Sequence, residues 1–171
     1  MYRVIMLLAL VNIVAGCGSV IDERDPPPNL EEKDVVQGEV SYIVDGDTFD
    51  VVIKGEGEER VRPILVDAPE ICHEHSPAGC EPEPYGEKAD EFAEELLLGE
   101  TVFLERDVSE RDQYDRLLYY VYLEEGEMYQ ERLLEEGLAE VVVFEPDVRY
   151  KEEFFEIEAE AREAGRGRWS E

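Results

Sequence analysis

The stretch Val61–Glu70, "VRPILVDAPE", constrains this chain more than any other, because it sets an arginine, an aspartate and a glutamate among apolar residues and breaks on a proline. Arg62, Ile64 and Val66 alternate with Pro63, Leu65 and Asp67, which is the period of a strand carrying Arg62 partway along and Asp67 at its end. Pro69 has no N–H to give a ladder and pushes Ala68 into an extended conformation, so Glu70 falls on a loop beside the strand end. One sheet edge thus receives a cation and two carboxylates. Alone, these residues also fit an exposed strand with solvated charges; their surroundings decide.

Upstream, two more strand-like runs precede it. Val40, Tyr42 and Val44 alternate in the first and Phe49, Val51 and Ile53 in the second, and the joints "DGDT" and "GEGE" are turn chemistry, so Val35 to Asp67 predicts an antiparallel meander. Asp45 reads as a turn former. Asp47 opens the second strand, at the same edge as Asp67. After Glu70 comes an irregular loop with Cys72, His75 and Cys80. A disulfide between Cys72 and Cys80, two free thiols, or a zinc site completed by His75 all remain open, although the spacing matches no strong zinc pattern.

From Pro84 the period changes: Ala89, Phe92, Ala93, Leu96 and Leu97 form a helical stripe that Gly99 ends. Thr101 to Asp107 and Leu117 to Leu123 are further strands, with Arg116 where a charged turn becomes the second of them. "MYQERLLEEG" is a short helix and "LAEVVVF" a short extended run. A last helix after Pro146 carries Tyr150, Phe154, Ile157 and Ala161 on one face, leaving Trp169 to cover the core. This order predicts an α+β, mainly β domain: a five-stranded OB-fold barrel with three packed helices.

The N-terminus is of another kind. Residues 1–16 read as a lipoprotein signal peptide, with Arg3 before an apolar stretch too short to span a bilayer comfortably. "VAGC" resembles a lipobox, which makes Cys17 the lipidated N-terminus; an ordinary signal peptide cut near Gly16 is the alternative. Residues 17–34, with three consecutive prolines and many charges, read as a flexible acidic linker. The protein is expected to be exported and lipid-anchored to the outer face of the cell membrane.

Charge narrows the setting. Asp and Glu total 45 against 16 Lys and Arg, a formal net charge of −29. The acids are interleaved with periodic apolar residues and do not gather in a tail, as expected of a folded, halophilic surface. In roughly molar salt the Debye length falls to about 3 Å, and such a surface stops repelling polyanions at a distance. An acidic surface at the cell exterior is the alternative.

Six motifs in order then carry a resemblance. "DGDT" at Asp45–Thr48, "VRPILVDAPE" at Val61–Glu70, "YGEKA" at Tyr85–Ala89, "DQYDRLLYYVYL" at Asp112–Leu123, "EGLAEV" at Glu136–Val141 and the terminal "GRWSE" resemble the thermonuclease family, the staphylococcal-nuclease-like fold. The likeness covers residues 35–171. It implies a calcium-dependent nuclease acting on DNA and RNA, with Asp47, Asp67 and the carbonyl of Ala68 as Ca²⁺ ligands. It also implies that Arg62 and Arg116 hold the scissile phosphate, that Glu70 activates the attacking water and that Tyr114 lies beside the substrate phosphate. The residue types suit that chemistry: Ca²⁺ prefers several oxygen ligands, and guanidiniums offer forked donors to a phosphorane-like transition state. Departures from the pattern are Asp115, expected to set a negative charge beside Arg116; Pro63 after Arg62 in place of an aliphatic residue; Gln113 in place of a lysine; and Val143 where an aromatic can stack on a base. A non-catalytic OB-fold nucleic-acid-binding module and a calcium-binding surface lipoprotein are the competing expectations, and a monomer is expected throughout.

Overall fold

The computed structural model describes residues 24–73, 76 and 78–170; the signal segment, Cys17 and His75 lie outside them. Seven strands, β1 (Val35–Asp45), β2 (Thr48–Ile53), β3 (Gly57–Pro63), β4 (Val66–Asp67), β5 (Thr101–Glu105), β6 (Leu117–Tyr122) and β7 (Glu140–Val141), alternate with three helices, α1 (Gly86–Leu97), α2 (Tyr129–Glu135) and α3 (Lys151–Glu163). Five strands close into a barrel in the order β1-β2-β3-β6-β5, and β4 and β7 form a separate two-stranded ladder. The expected five-stranded barrel with three helices is what the chain forms.

Closure rests on β1. Its first half pairs with β5, from Val35 opposite Glu105 to Glu39 opposite Thr101, and its second half pairs with β2, from Gly38 opposite Ile53 to Asp45 opposite Thr48. One strand serving two neighbours must bend sharply. Gly38 sits at that overlap, where a Cβ would lie 2.4 Å from Val51 Cγ1, and register shifts follow at Val40/Tyr42 and Ile43/Asp45. β3 and β6 pair in parallel while the other barrel neighbours run antiparallel.

Phe49, Val51, Val61, Leu117 and Tyr119 are fully buried inside the barrel wall. α1 lays Ala89, Ala93 and Leu97, all 0% exposed, against β1. Its small residues let the backbone approach so closely that a Cβ on Gly46 would stand 2.7 Å from that of Ala89. The buried Gln130 of α2 accepts from Val121 N (3.1 Å) and donates to Tyr119 O (3.0 Å), tying helix to strand where no apolar residue could.

Two expectations are corrected. The run Val61–Asp67 is not one strand: it turns at Ile64–Leu65, with Leu65 at φ +67°, before β4 starts. The alternating pattern hides the turn because both turn residues are buried apolar ones, 5% and 4% exposed. Packed structure also begins before Val35. Pro28–Leu30 form a 3-10 turn that seats Leu30 at 0% exposure, and Asn29 donates to Gly126 O at 2.8 Å. The boundary expected at residue 35 therefore cuts through ordered packing, which the polar composition around Leu30 conceals.

Lys33 belongs to the same strap. Its ammonium donates to the hydroxyls of Tyr122 and Tyr150 and to Glu105 Oε2, and both tyrosines donate to Glu105 as well. Arg149 closes the cluster on Glu105 Oε1 at 2.6 Å. Burial alone would raise the Glu105 carboxyl, but the two hydroxyls and the Lys33 charge outweigh it and hold the group below its ordinary 4.5. A carboxyl depressed in the folded state contributes stability that is complete above the unfolded value and lost as pH falls through the folded one. Glu105→Gln is accordingly expected to lower the melting temperature at pH 7 and to flatten its decline below about pH 4.5, where the wild type alone loses this contribution; calorimetry across pH reads both effects.

Candidate active site

A cavity of 690 Å³ opens where the β1–β2 turn, the end of β3, β4 and the start of β6 meet. Register explains the meeting. Phe49 stands opposite Val61 in an antiparallel pair, which sets Thr48 beside Arg62, while Arg116 just precedes Leu117, the residue opposite Val61 in the parallel pair, and its side chain reaches Thr48 Oγ1.

The turn at Leu65 has a direct consequence for Arg62 and Asp67. In a continuous strand, residues an odd number apart point to opposite faces and stand several residue rises away from each other. Folding back at Ile64–Leu65 instead brings Arg62 Nη2 within 2.7 Å of Asp67 Oδ1. The conformation is one that a branched residue rarely adopts, and it is over-determined here: Ile64 N donates to Tyr119 O and Val142 N to Leu65 O, both at 3.0 Å. The same guanidinium pairs through Nη1 with Asp47 Oδ2 at 2.5 Å and donates to Asp47 O at 3.2 Å. Arg62 thus bridges two carboxylates from two different elements.

Asp47 is held from three sides. Asp45 Oδ1 accepts its N–H at 3.0 Å, which makes Asp45 the turn former its sequence suggests, and Ala68 N donates to Asp47 Oδ2 at 2.6 Å. Behind the turn the buried Tyr129 hydroxyl donates to Gly46 O at 2.7 Å. Burial raises the Asp47 carboxyl to about 6 against the pull of Arg62, with Asp45 adding to the rise. Asp67 is raised by burial and by Asp47, and Glu70 by burial and then by Asp47 and Asp67. Asp45, Asp47, Asp67, Glu70, Asp112, Glu145 and Asp147 line the cavity against Arg62, Arg111 and Arg116, so the site is short of positive charge.

Arg116 is aimed by Asp112. That carboxylate accepts Arg116 Nε at 2.7 Å and the backbone N–H groups of Tyr114 and Arg116 at 2.9 and 3.0 Å, while Arg116 Nη1 donates to Thr48 Oγ1 at 3.2 Å. Although burial opposes it, these donors leave the Asp112 carboxyl depressed. Asp115, expected to burden Arg116, does not touch it. It adopts φ +68° at the turn, its side chain is 89% exposed, and its nearest cation is Arg111, 3.7 Å away. Arg111 also donates to Asp115 O at 2.8 Å and pairs with Glu59 at 3.0 Å, clamping the turn to β3.

Asp47, Arg62, Asp67, Glu70, Tyr114 and Arg116 all line this cavity, and Ala68 is buried behind it. Cys72 and Cys80 are joined by a disulfide in the loop that follows Glu70, so Cys72 and Cys80 are not free to ligate zinc. Sequence reasoning misses three participants. Thr48 and Asp112 orient Arg116, and the spacing of Asp112 four residues before Arg116 within one turn is the available signal. Phe144 is the third: it lines the cavity at 71% exposure, like Tyr114 opposite, whereas Val143 packs on the core. The aromatic missing at Val143 stands one residue later.

The donor set suits a hard cation. Among the described residues no three His, Cys, Asp or Glu side chains form a ready metal cluster. Yet Asp47 and Asp67 already hold a cationic group between them, and no protein donor among those residues occupies the second Asp67 oxygen or the Glu70 carboxylate. Oxygen ligands with room for water are what Ca²⁺ takes.

A closed five-stranded barrel with three helices packed on it, and with acids and arginines gathered at one end, is an OB-like domain. The particular family follows from comparison: the staphylococcal nuclease homologue profile matches residues 60–171, and the chain belongs to that family. The thermonuclease of Staphylococcus hyicus is 35% identical over 77% of this chain and 74% of its own. The endonuclease YncB of Bacillus subtilis is 39% identical over 84% of this chain and 66% of its own. The SPbeta prophage-derived endonuclease YokF of the same organism is 40% identical over 81% of this chain but only 45% of its own length, so much of YokF lies beyond the shared part.

Asp112→Ala should leave the barrel folded but weaken it by about 1–3 kcal/mol, the cost of stranding donors that one carboxylate satisfied. Denaturant titration measures the loss, and an unchanged midpoint would show that Asp112 does not anchor the turn that carries Arg116.

Proposed function

We propose that this protein is a calcium-dependent nuclease that hydrolyses phosphodiester bonds of DNA and RNA. The observation that carries the reading is the convergence of Arg62, Arg116, Asp47, Asp67 and Glu70 on one cavity from four separate segments of the chain. Nuclease activity is the common property named for its relatives.

In this reading Asp47 and Asp67, with the Ala68 carbonyl, would hold the ion, which when bound would supply Lewis-acid charge neutralisation. Arg62 and Arg116 donate to the non-bridging oxygens of the scissile phosphate, where charge grows on the way to a five-coordinate transition state. Both guanidiniums are already fixed by carboxylates, so little ordering is left to do when substrate arrives. Glu70 accepts a proton from the attacking water; the new P–O bond forms as the bond to the leaving sugar oxygen breaks, and that oxygen takes up a proton. Its raised affinity for protons makes Glu70 a better base than an exposed glutamate. Tyr114 and Phe144 offer faces on which unpaired bases stack, a contact that tolerates any sequence.

Cleavage of denatured DNA and of RNA should require Ca²⁺, stop with chelator and fall by at least about a hundredfold in Glu70→Gln. The same variant should still show a Ca²⁺-induced rise in melting temperature, which Asp67→Asn should lose. Full activity in Glu70→Gln would sink the assignment of that residue, and a folded protein that binds Ca²⁺ without cleaving would favour the calcium-binding surface protein.

We also propose that the protein works outside the cell, anchored through Cys17. The disulfide between Cys72 and Cys80 supports an oxidising compartment. Fractionation should find the mature chain with the membrane and release it on exterior proteolysis; recovery from the cytosol alone would overturn this.

A further inference from the structure

Glu70 lies on a loop, yet its backbone is not loose. Glu83, thirteen residues on, engages it twice: Glu83 N donates to Glu70 O at 2.9 Å, and Glu70 N donates to Glu83 Oε2 at 3.3 Å. One residue therefore satisfies both main-chain polar groups of the glutamate while its own carboxylate is left open to the cavity. α1 backs the arrangement. Gly86 N donates to Glu83 O at 3.0 Å, and Gly86 comes so near that a Cβ on it would stand 2.6 Å from Glu70 O.

The chain between the two glutamates would be a long flexible excursion, and closing such a loop costs entropy. The disulfide from Cys72 to Cys80 lowers that cost. It starts two residues after Glu70, ends three before Glu83 and short-circuits the intervening chain. Staple, bracket and helix start form a continuous path ending at the carboxylate.

From this geometry we infer that Glu83 is a positioning residue for Glu70, and that the Cys72–Cys80 disulfide keeps the bracket closed, so that its redox state sets turnover. The inference rests on the reading of Glu70 as the residue that handles the attacking water. A dithiol opens the switch by exchange: its two thiols are oxidised to a disulfide as the Cys72–Cys80 bond breaks, and Cys72 and Cys80 each take up a proton as thiols. Turnover falls because Glu70 is no longer held at reaction distance. Phosphate binding through Arg62 and Arg116 is untouched, because neither arginine contacts the bracket.

The test is steady-state cleavage of denatured DNA by the full folded protein, oxidised or treated with dithiothreitol, with Ca²⁺ present throughout. Reduction is expected to lower kcat about tenfold, the scale of a small misplacement, with KM unchanged. Glu83→Ala should show the same split, and Glu83→Gln, which keeps an acceptor for Glu70 N, should restore kcat. In a Glu70→Gln background neither reduction nor Glu83→Ala should cost anything further, since both act through the missing carboxylate. Should reduction unfold the protein by circular dichroism, the Glu83 pair run in the oxidised state decides alone. Equal kcat in Glu83→Ala and the wild type, or equal losses in Glu83→Ala and Glu83→Gln, would overturn the bracket while leaving Glu70 in place. Undiminished cleavage by Glu70→Gln would overturn the reading beneath it.

Discussion

The ion-pair bridge from Arg62 to Asp47 and Asp67 is the interaction on which this end of the barrel depends. Only 12% of the Arg62 side chain is exposed, so the guanidinium sits where removing either partner would leave a charge poorly solvated. The bridge joins the β1–β2 turn to the chain leaving β3 and so fixes the reversal at Leu65. A pair this tight is costly to desolvate and contributes less stability than its distances suggest. Its value lies in placement. The two acids are kept adjacent by a cation of the protein's own, and the arginine is fixed in direction by them.

The same economy recurs at the other arginine and at the strap. Asp112 takes three donors at once and converts a charged turn into a rigid mount for Arg116. Glu105 gathers Lys33, Tyr122, Tyr150 and Arg149, and so joins the N-terminal strap, β5, β6 and the start of α3. A chain with 45 acids has no shortage of carboxylates; what distinguishes these few is that burial forces each to find full satisfaction. Exposed acids such as Glu110 and Glu127 meet at most an arginine at the surface, where solvent screens the pair and little is organised by it.

How much is legible in the sequence follows from the range over which each signal acts. The meander, the stripe of α1 and the face of α3 repeat with a period, and period survives without knowledge of the rest of the fold. Turn chemistry at Asp45–Thr48 is equally local, and so the role of Asp45 is plain from its neighbours. The reversal at Leu65 is not, because it uses a leucine at positive φ, held there by the Arg62 bridge and by partners from β6 and from the residue after β7. Leu30 escapes notice since one buried leucine amid prolines and charges has no periodicity to announce it. Phe144 and the true bearing of Asp115 depend on the direction in which a side chain leaves the backbone, which spacing alone does not fix. Glu83 looks like one acid among many, and only the return of the chain past Glu70 singles it out.

The double pairing of β1 also governs how the molecule can assemble. The meander from Val35 to Pro63 is contiguous and can form as soon as it is made. Residues 101–105 must arrive before the first half of β1 has a partner, and β6 before β3 has one. Barrel closure is therefore a non-local event of high contact order, slow by nature and impossible on a chain still emerging. Until then the early strands present unpaired edges, which invite association with other chains. The net charge of −29 is carried by the whole chain, so partly folded copies repel one another in dilute salt, and the acidity of this sequence protects the unfinished barrel as well as the finished one.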